Sequence, residues 1–194
     1  MLKLIFFIWG TIVGSFLNVC IYRMPRSKSI VWPGSQCVNC GHFIKWYENI
    51  PLVSFVFLKG KCGSCKKKIS VRYFLVELLT GILFTALYIK FGLTLNLLFF
   101  LIFMCGLIVA TFIDFDYQLI PDTVSLGGLA LGLAASFIHP SLFGVVSHKA
   151  ALLNSFYGAA AGGISIYAVG ILGKFLFRKD AMGCLLYTSD AADE

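Results

Sequence analysis

Charge is what this sequence has least of. Charged residues make up 13% of the 194, acids number only nine, and 59% of the chain is hydrophobic. A soluble domain carries about a quarter charged and about half apolar residues, so that class is excluded. The shortage of acid leaves a formal net charge of +7, which by itself would suit a nucleic-acid partner. Its distribution argues for no nucleic acid: ten of the sixteen Lys and Arg lie between Arg23 and Arg72, with Glu48 as the only acid in that interval. Beside long apolar runs, such a block reads as a signal that keeps the segment cytoplasmic. Attraction to anionic lipid headgroups is a second reading. A small-residue cleavage site is also missing between the first apolar run, Met1 to Ile21, and the basic block. A removable signal peptide is therefore set aside in favour of a retained helix.

What the chain does have is a series of apolar runs of about membrane-crossing length. They cover Met1 to Ile21, Tyr73 to Ile89, Leu93 to Ile113, Thr123 to Ile138, and Ala150 to about Gly173. The fold class expected is mainly α: a polytopic helical membrane protein of about five spans, with a small polar insert over about 23–72. Gly10, Gly14 and Ser15 form a small-residue face on the first span, and the fourth and fifth are rich in Gly and Ala, as closely packed membrane helices tend to be. Cys105 is expected to be a packing residue. The His139 to Lys149 loop carries two histidines expected to be solvated. Glu77 interrupts the second span. It either reaches the headgroups or pairs with Arg72, or it faces the bundle interior. Counting from a cytoplasmic insert puts the amino terminus and Lys90 outside, residues 114–122 inside, His139 to Lys149 outside and the basic patch Lys174 to Lys179 inside.

The insert holds four of the seven cysteines, as Cys37-Val-Asn-Cys40 and Cys62-Gly-Ser-Cys65, with 21 residues between the pairs. Each pair has Ile seven residues after its first Cys, at Ile44 and Ile69, so the pairs read as an internal repeat. On the reducing side of a membrane, this spacing favours metal ligation over disulfides. Four thiolates around one zinc would close its shell, so the expected role is structural. The alternative is four unligated thiols or a labile disulfide pair. His42 is read as a solvated loop residue.

Phe112 to Asp122, FIDFDYQLIPD, places Asp114, Asp116 and Asp122 directly after an apolar run. A carboxylate at the end of a membrane-length helix marks a candidate site, and Asp114, the deepest, is the one expected to act. Asp116 and Asp122 are read as parts of a helix-breaking turn, with Asp122 capping the next helix.

Five segments in this order resemble the bacterial prepilin peptidases (type IV leader peptidases): GSFLNVCIYRMP (Gly14 to Pro25), the double C-x-x-C, WYENIPLVSF (Trp46 to Phe55), ISVRYFLVELLTG (Ile69 to Gly81) and IDFDYQLIPD (Ile113 to Asp122). The resemblance runs from about Gly10 to Gly183. It implies a membrane aspartic endopeptidase that removes leaders from prepilins or pseudopilins on the cytoplasmic face of the bacterial inner (cytoplasmic) membrane. It also implies, for many members, N-methylation of the new terminus with S-adenosylmethionine as donor. In that scheme Asp114 matches the first catalytic aspartate. The expected partners are these substrates and the lipid bilayer, with the oligomeric state left open.

The second family aspartate would lie in a GxGD motif. Lys179 to Gly183 resembles its lead-in, but Leu185 and Leu186 stand where Gly and Asp are expected. Cys184 to Glu194 therefore reads as a foreign tail on a truncated fragment that is inactive as a protease. None of Asp116, Asp122, Asp180, Asp190, Asp193 and Glu194 is expected to replace the missing acid. The implied organisation is an N-terminal domain over 1–90, an incomplete peptidase domain over 91–183, and a tail over 184–194. Two other readings compete with the peptidase. One is a membrane scaffold that docks a partner through its zinc insert; the other is a methyltransferase alone, with Glu77 and the insert near the cofactor. No glycine-rich cofactor fingerprint follows a strand, so S-adenosylmethionine rests on the resemblance.

Overall fold

The structure, a computed structural model, describes residues 1–177. The expectations for Asp180, Leu185, Leu186 and the tail Cys184 to Glu194, and for the side chains of the Lys174 to Lys179 patch, fall outside the described residues. Among the described residues there are α-helices and short 3-10 turns, and the only β pairing is two isolated bridges. The helices are α1 (Leu2–Arg23), α2 (Val53–Phe57), α3 (Val71–Phe91), α4 (Leu95–Tyr117), α5 (Asp122–Ile138) and α6 (His148–Phe177). Four of them, α1, α3, α4 and α6, are long and apolar enough to cross a membrane. The expected fourth span is the 17-residue α5, about 25 Å long and at the lower limit for a crossing helix. The protein is thus a mainly helical, polytopic membrane protein with a small cysteine-bearing insert between α1 and α3.

The chain divides into two compact units, Met1–Ile113 and one that begins at Asp114. In the first, α1 packs antiparallel on α3. Gly10 and Gly14 are what let the helices approach. A Cβ on Gly10 would lie 2.8 Å from the Cα of Gly81, and one on Gly14 would lie 2.8 Å from the Cα of Glu77. Gly81 in turn makes room for Thr11 of α1, whose Cγ2 is 2.8 Å from where a Cβ would be. The small-residue face expected from Gly10 and Gly14 is therefore the crossing point itself. Aromatic rings fill the wider end: Phe6 stacks on Tyr88 at 4.4 Å, and Trp9 meets Phe84 edge-on at 5.5 Å. The start of α4 joins this core through Leu97 and Leu101, with Cys105 packed beside them as expected. Phe100 stacks on Phe91 at 4.5 Å. Outward, α1 exposes Leu4, Ile5, Ile8, Ile12 and Phe16, a surface suited to lipid rather than water.

In the second unit, α5 packs on α6, and Ala135 and Ala151 are buried. Ser136 and Ser155 share a hydrogen bond between them. His148 is not part of the preceding loop: it is the first residue of α6, and its Nδ1–H donates to the Phe137 carbonyl at 2.6 Å. His139 and Ser141 bond side chain to side chain at 2.6 Å.

Candidate functional site

The two C-x-x-C segments fold as one motif used twice. In the first, the Cys37 N–H donates to His42 O, the Gly41 N–H to Cys37 O, and the Ile44 N–H to Ser35 O, each at 2.9 Å. In the second, the Cys62 N–H donates to Lys67 O at 2.9 Å, the Lys66 N–H to Cys62 O at 3.1 Å, and the Ile69 N–H to Gly60 O at 2.7 Å. The repeated isoleucines thus close their knuckles through the backbone. The chain turns through the left-handed region at the same register, at Gly41 (φ +69°) and Lys66 (φ +58°). Glycine does this freely, whereas lysine does it at a cost.

The knuckles bring their sulfurs together. The Sγ atoms of Cys37, Cys40, Cys62 and Cys65 all lie within 4.8 Å of one another, and Cys37 and Cys65 are 4.0 Å apart. A zinc ion bound tetrahedrally at about 2.3 Å would hold sulfurs about 3.8 Å apart, so the set fits with a small contraction. All six described cysteines are free thiols. The electrostatics point the same way. The backbone N–H groups of Cys65 and Ser64 pull the Cys62 thiol down to about 6. The His42 backbone N–H also pulls Cys40 down, but desolvation and the other three sulfurs outweigh it and push that thiol up to about 11. A cluster whose first sulfur ionises readily while another resists is one in which a dication would offset accumulating negative charge. His42 is outside this cluster; its Nε2 lies 3.7 Å from Glu48 Oε2. The same carboxylate accepts from the Lys45 N–H at 3.2 Å and packs over Gly63 of the second knuckle.

Glu77 faces inward and is buried between helices. Its Oε2 accepts from the Leu52 N–H at 2.8 Å. Of the readings open for this residue, the bundle interior is the one observed. Leu52 is unusual in turn, with φ +60° and ψ −47°. The Val53 N–H reaches back to Pro51 O at 2.6 Å, making a γ-turn of the rare, strained hand. On α1, buried Asn18 donates from Nδ2 to Tyr73 O at 3.0 Å. The insert is therefore fastened to the α1–α3 pair at Glu77. Nothing in the sequence pattern announces the Leu52 contact, because it joins an irregular loop to a helix residue 25 positions away.

Asp114 lies in the last turn of α4 and is exposed. Its carbonyl accepts from the Gln118 N–H at 2.8 Å, and Gln118 turns left-handed (φ +53°) to end the helix. Asp116 is exposed on the same turn, two residues on and so on another face. Asp122 is not the cap it was expected to be. Pro121 occupies that position in extended conformation, and Asp122 is the first helical residue, with no side-chain cap bond at this terminus. Its charge there still favours the helix dipole.

Two family models match the sequence: the bacterial peptidase A24 N-terminal domain over residues 8–91, and the type IV leader peptidase family over residues 101–184. The prepilin leader peptidase/N-methyltransferase of Myxococcus xanthus is 42% identical over 177 residues, covering 91% of this chain and 50% of that protein. The enzymes of the same description from Dichelobacter nodosus and Pseudomonas aeruginosa are each 38% identical, with 92% and 90% of this chain and 70% and 65% of theirs covered. The chain thus spans between half and seven-tenths of the length of these relatives. No solved structure matches it.

Proposed function

Because this chain belongs to the bacterial type IV leader peptidase family, we propose that it derives from a membrane aspartic endopeptidase whose first catalytic carboxylate is Asp114. The observation that carries this reading is the address of that acid. From Leu95 to Ile113, α4 has no charged residue, and Asp114 and Asp116 then fall in its last turn. Negative charge is disfavoured at a helix C-terminus and costly beside lipid, so both local rules are broken at one place, as functional sites do. The relatives are named as prepilin leader peptidases and N-methyltransferases, which supports prepilins or pseudopilins as substrates and S-adenosylmethionine as methyl donor.

In this scheme Asp114 works with a second carboxylate. Two close acids resist joint ionisation, so one keeps a proton while the other takes a proton from the attacking water. The protonated member polarises the scissile carbonyl, and its proton then goes to the departing amine. We place the reaction at the cytoplasmic face, because the basic insert is expected there. Cys37, Cys40, Cys62 and Cys65 would hold zinc as a structural ion, which would supply folding energy rather than catalysis. With Leu185 and Leu186 in place of the glycine and aspartate of GxGD, the chain as written has one half of the pair and is inactive as a protease. Residues 1–90 act as the N-terminal domain and 91–183 as the peptidase domain.

The test is cleavage of a prepilin in membranes. The chain as written should release no leader, and a version carrying an intact GxGD segment should release it. Asp114→Asn in that version should abolish release, and undiminished cleavage would remove Asp114 from the mechanism. A zinc-containing scaffold without catalysis is the reading left standing if the completed version is also silent.

A further inference from the structure

The two knuckles share a backbone but not a charge. In each, the hydrogen bonds on either side of the bridge define an antiparallel pair of the non-hydrogen-bonded kind: Gln36 opposite Phe43, and Lys61 opposite Lys68. This is the closer of the two pair types, with side chains on one face. Like charges directly opposite one another are destabilising there. The second knuckle carries Lys66 and Lys67 in its turn as well, with Lys66 at the left-handed position that glycine fills in the first. All four lysines are exposed. Among the described residues no acid pairs with any of them. Glu48, the insert's single acid, is engaged by the Lys45 N–H and lies near His42. The repeat therefore gives up local stability twice to gather four cations, although its sister shows that the backbone needs none of them.

Position says what would meet them. Lys68 is three residues before Val71, the first residue of the membrane-length α3, so it lies within about 10 Å of that helix's start however the chain runs. Lys61 is beside it by pairing. This is the depth of lipid headgroups, and the surface potential of an anionic leaflet acts over about that distance.

We propose that the second knuckle, through Lys61, Lys66, Lys67 and Lys68, is a docking surface for the phosphate headgroups of anionic phospholipid. This inference rests on the membrane reading of α3 and not on the proteolytic one, so either can fail alone.

The test uses the full chain, zinc-loaded, in nanodiscs of phosphatidylcholine or of phosphatidylcholine with phosphatidylglycerol. Acetylation of each lysine by a water-soluble reagent is followed by mass spectrometry. Phosphatidylglycerol should slow labelling of the four lysines about five-fold, and high salt should reverse the effect. The quadruple Lys→Gln variant should retain its zinc, with Arg72 and α3 unchanged in proteolytic protection, yet lose enrichment of phosphatidylglycerol in the lipid that copurifies with it. Equal labelling in the two lipids would overturn the proposal. So would protection by inorganic phosphate in pure phosphatidylcholine discs, which would mark a free-phosphate site. An equal drop at Lys45 would overturn it too, because the diffuse charge of the insert would then be responsible.

Discussion

Truncating Glu77 to alanine should loosen the Leu52 turn of the insert while leaving the metal in place. The carboxylate accepts a hydrogen bond from the Leu52 N–H at 2.8 Å, and such a bond to a charged group is worth about 1.5–3 kcal/mol. It opposes the strain of Leu52 at φ +60°, which is of order 1–3 kcal/mol. The two terms are of similar size, so the turn is held near balance. Without Glu77, Leu52 should relax to negative φ and carry α2 with it. Glu77→Gln keeps an acceptor and should retain most of the geometry. Leu52→Gly removes the strain, so Glu77→Ala should disturb the turn far less in that background. Hydrogen exchange at the residue-52 amide is the assay, with exchange in Glu77→Ala about ten-fold or more faster, the factor corresponding to about 1.4 kcal/mol. Unchanged exchange would refute the reasoning. An effect of Glu77→Ala that is equally large with and without the Leu52→Gly substitution would also do so, since the coupling between strain and bond would be absent.

Other outcomes follow from the geometry. Each of Cys37→Ser, Cys40→Ser, Cys62→Ser and Cys65→Ser should abolish the expected one zinc per chain, measured by metal analysis; full retention in any of them would remove that sulfur from the site. Because Cys62 sits at about 6 and Cys40 at about 11 without metal, zinc binding near neutral pH must displace the Cys40 proton. Binding should therefore release protons, and zinc should be lost as pH falls and the thiolates regain them. Lys66→Gly should stabilise the second knuckle by about 1 kcal/mol, seen as slower exchange of the residue-66 and Lys67 amides, whereas Gly41→Lys should weaken the first knuckle by a similar amount. Gly14→Ala puts a methyl 2.8 Å from the Glu77 Cα; it should destabilise the α1–α3 pair by about 1–3 kcal/mol, read as a lower unfolding midpoint in detergent.

The parts legible in the sequence are those governed by local composition or by a repeated spacing. Apolar runs mark α1, α3, α4 and α6 because lipid imposes one length on every crossing helix. The C-x-x-C pairs mark the sulfur cluster because four ligands need that spacing. Gly10 and Gly14 mark the helix crossing because only a missing side chain permits it. Other features depend on which distant groups happen to meet. The Leu52 turn owes its shape to a carboxylate on another element. Glu48 joins His42 and Gly63 across two knuckles. The His148 ring at the start of α6 reaches back eleven residues to the Phe137 carbonyl. Pro121 displaces Asp122 from the cap because its own extended backbone already begins the helix, and side-chain preference alone does not register that.

The duplicated knuckle also bears on how the membrane part is built. Cys37 follows the end of α1, and Cys65 precedes the start of α3. One ion gripping both pairs would shorten the path between the two helices, so that they enter the bilayer as a pre-joined hairpin rather than as separate rods on a long leash. Loss of the ion would then be felt first as slack between α1 and α3, at the glycine crossing, rather than at the four ligand sulfurs.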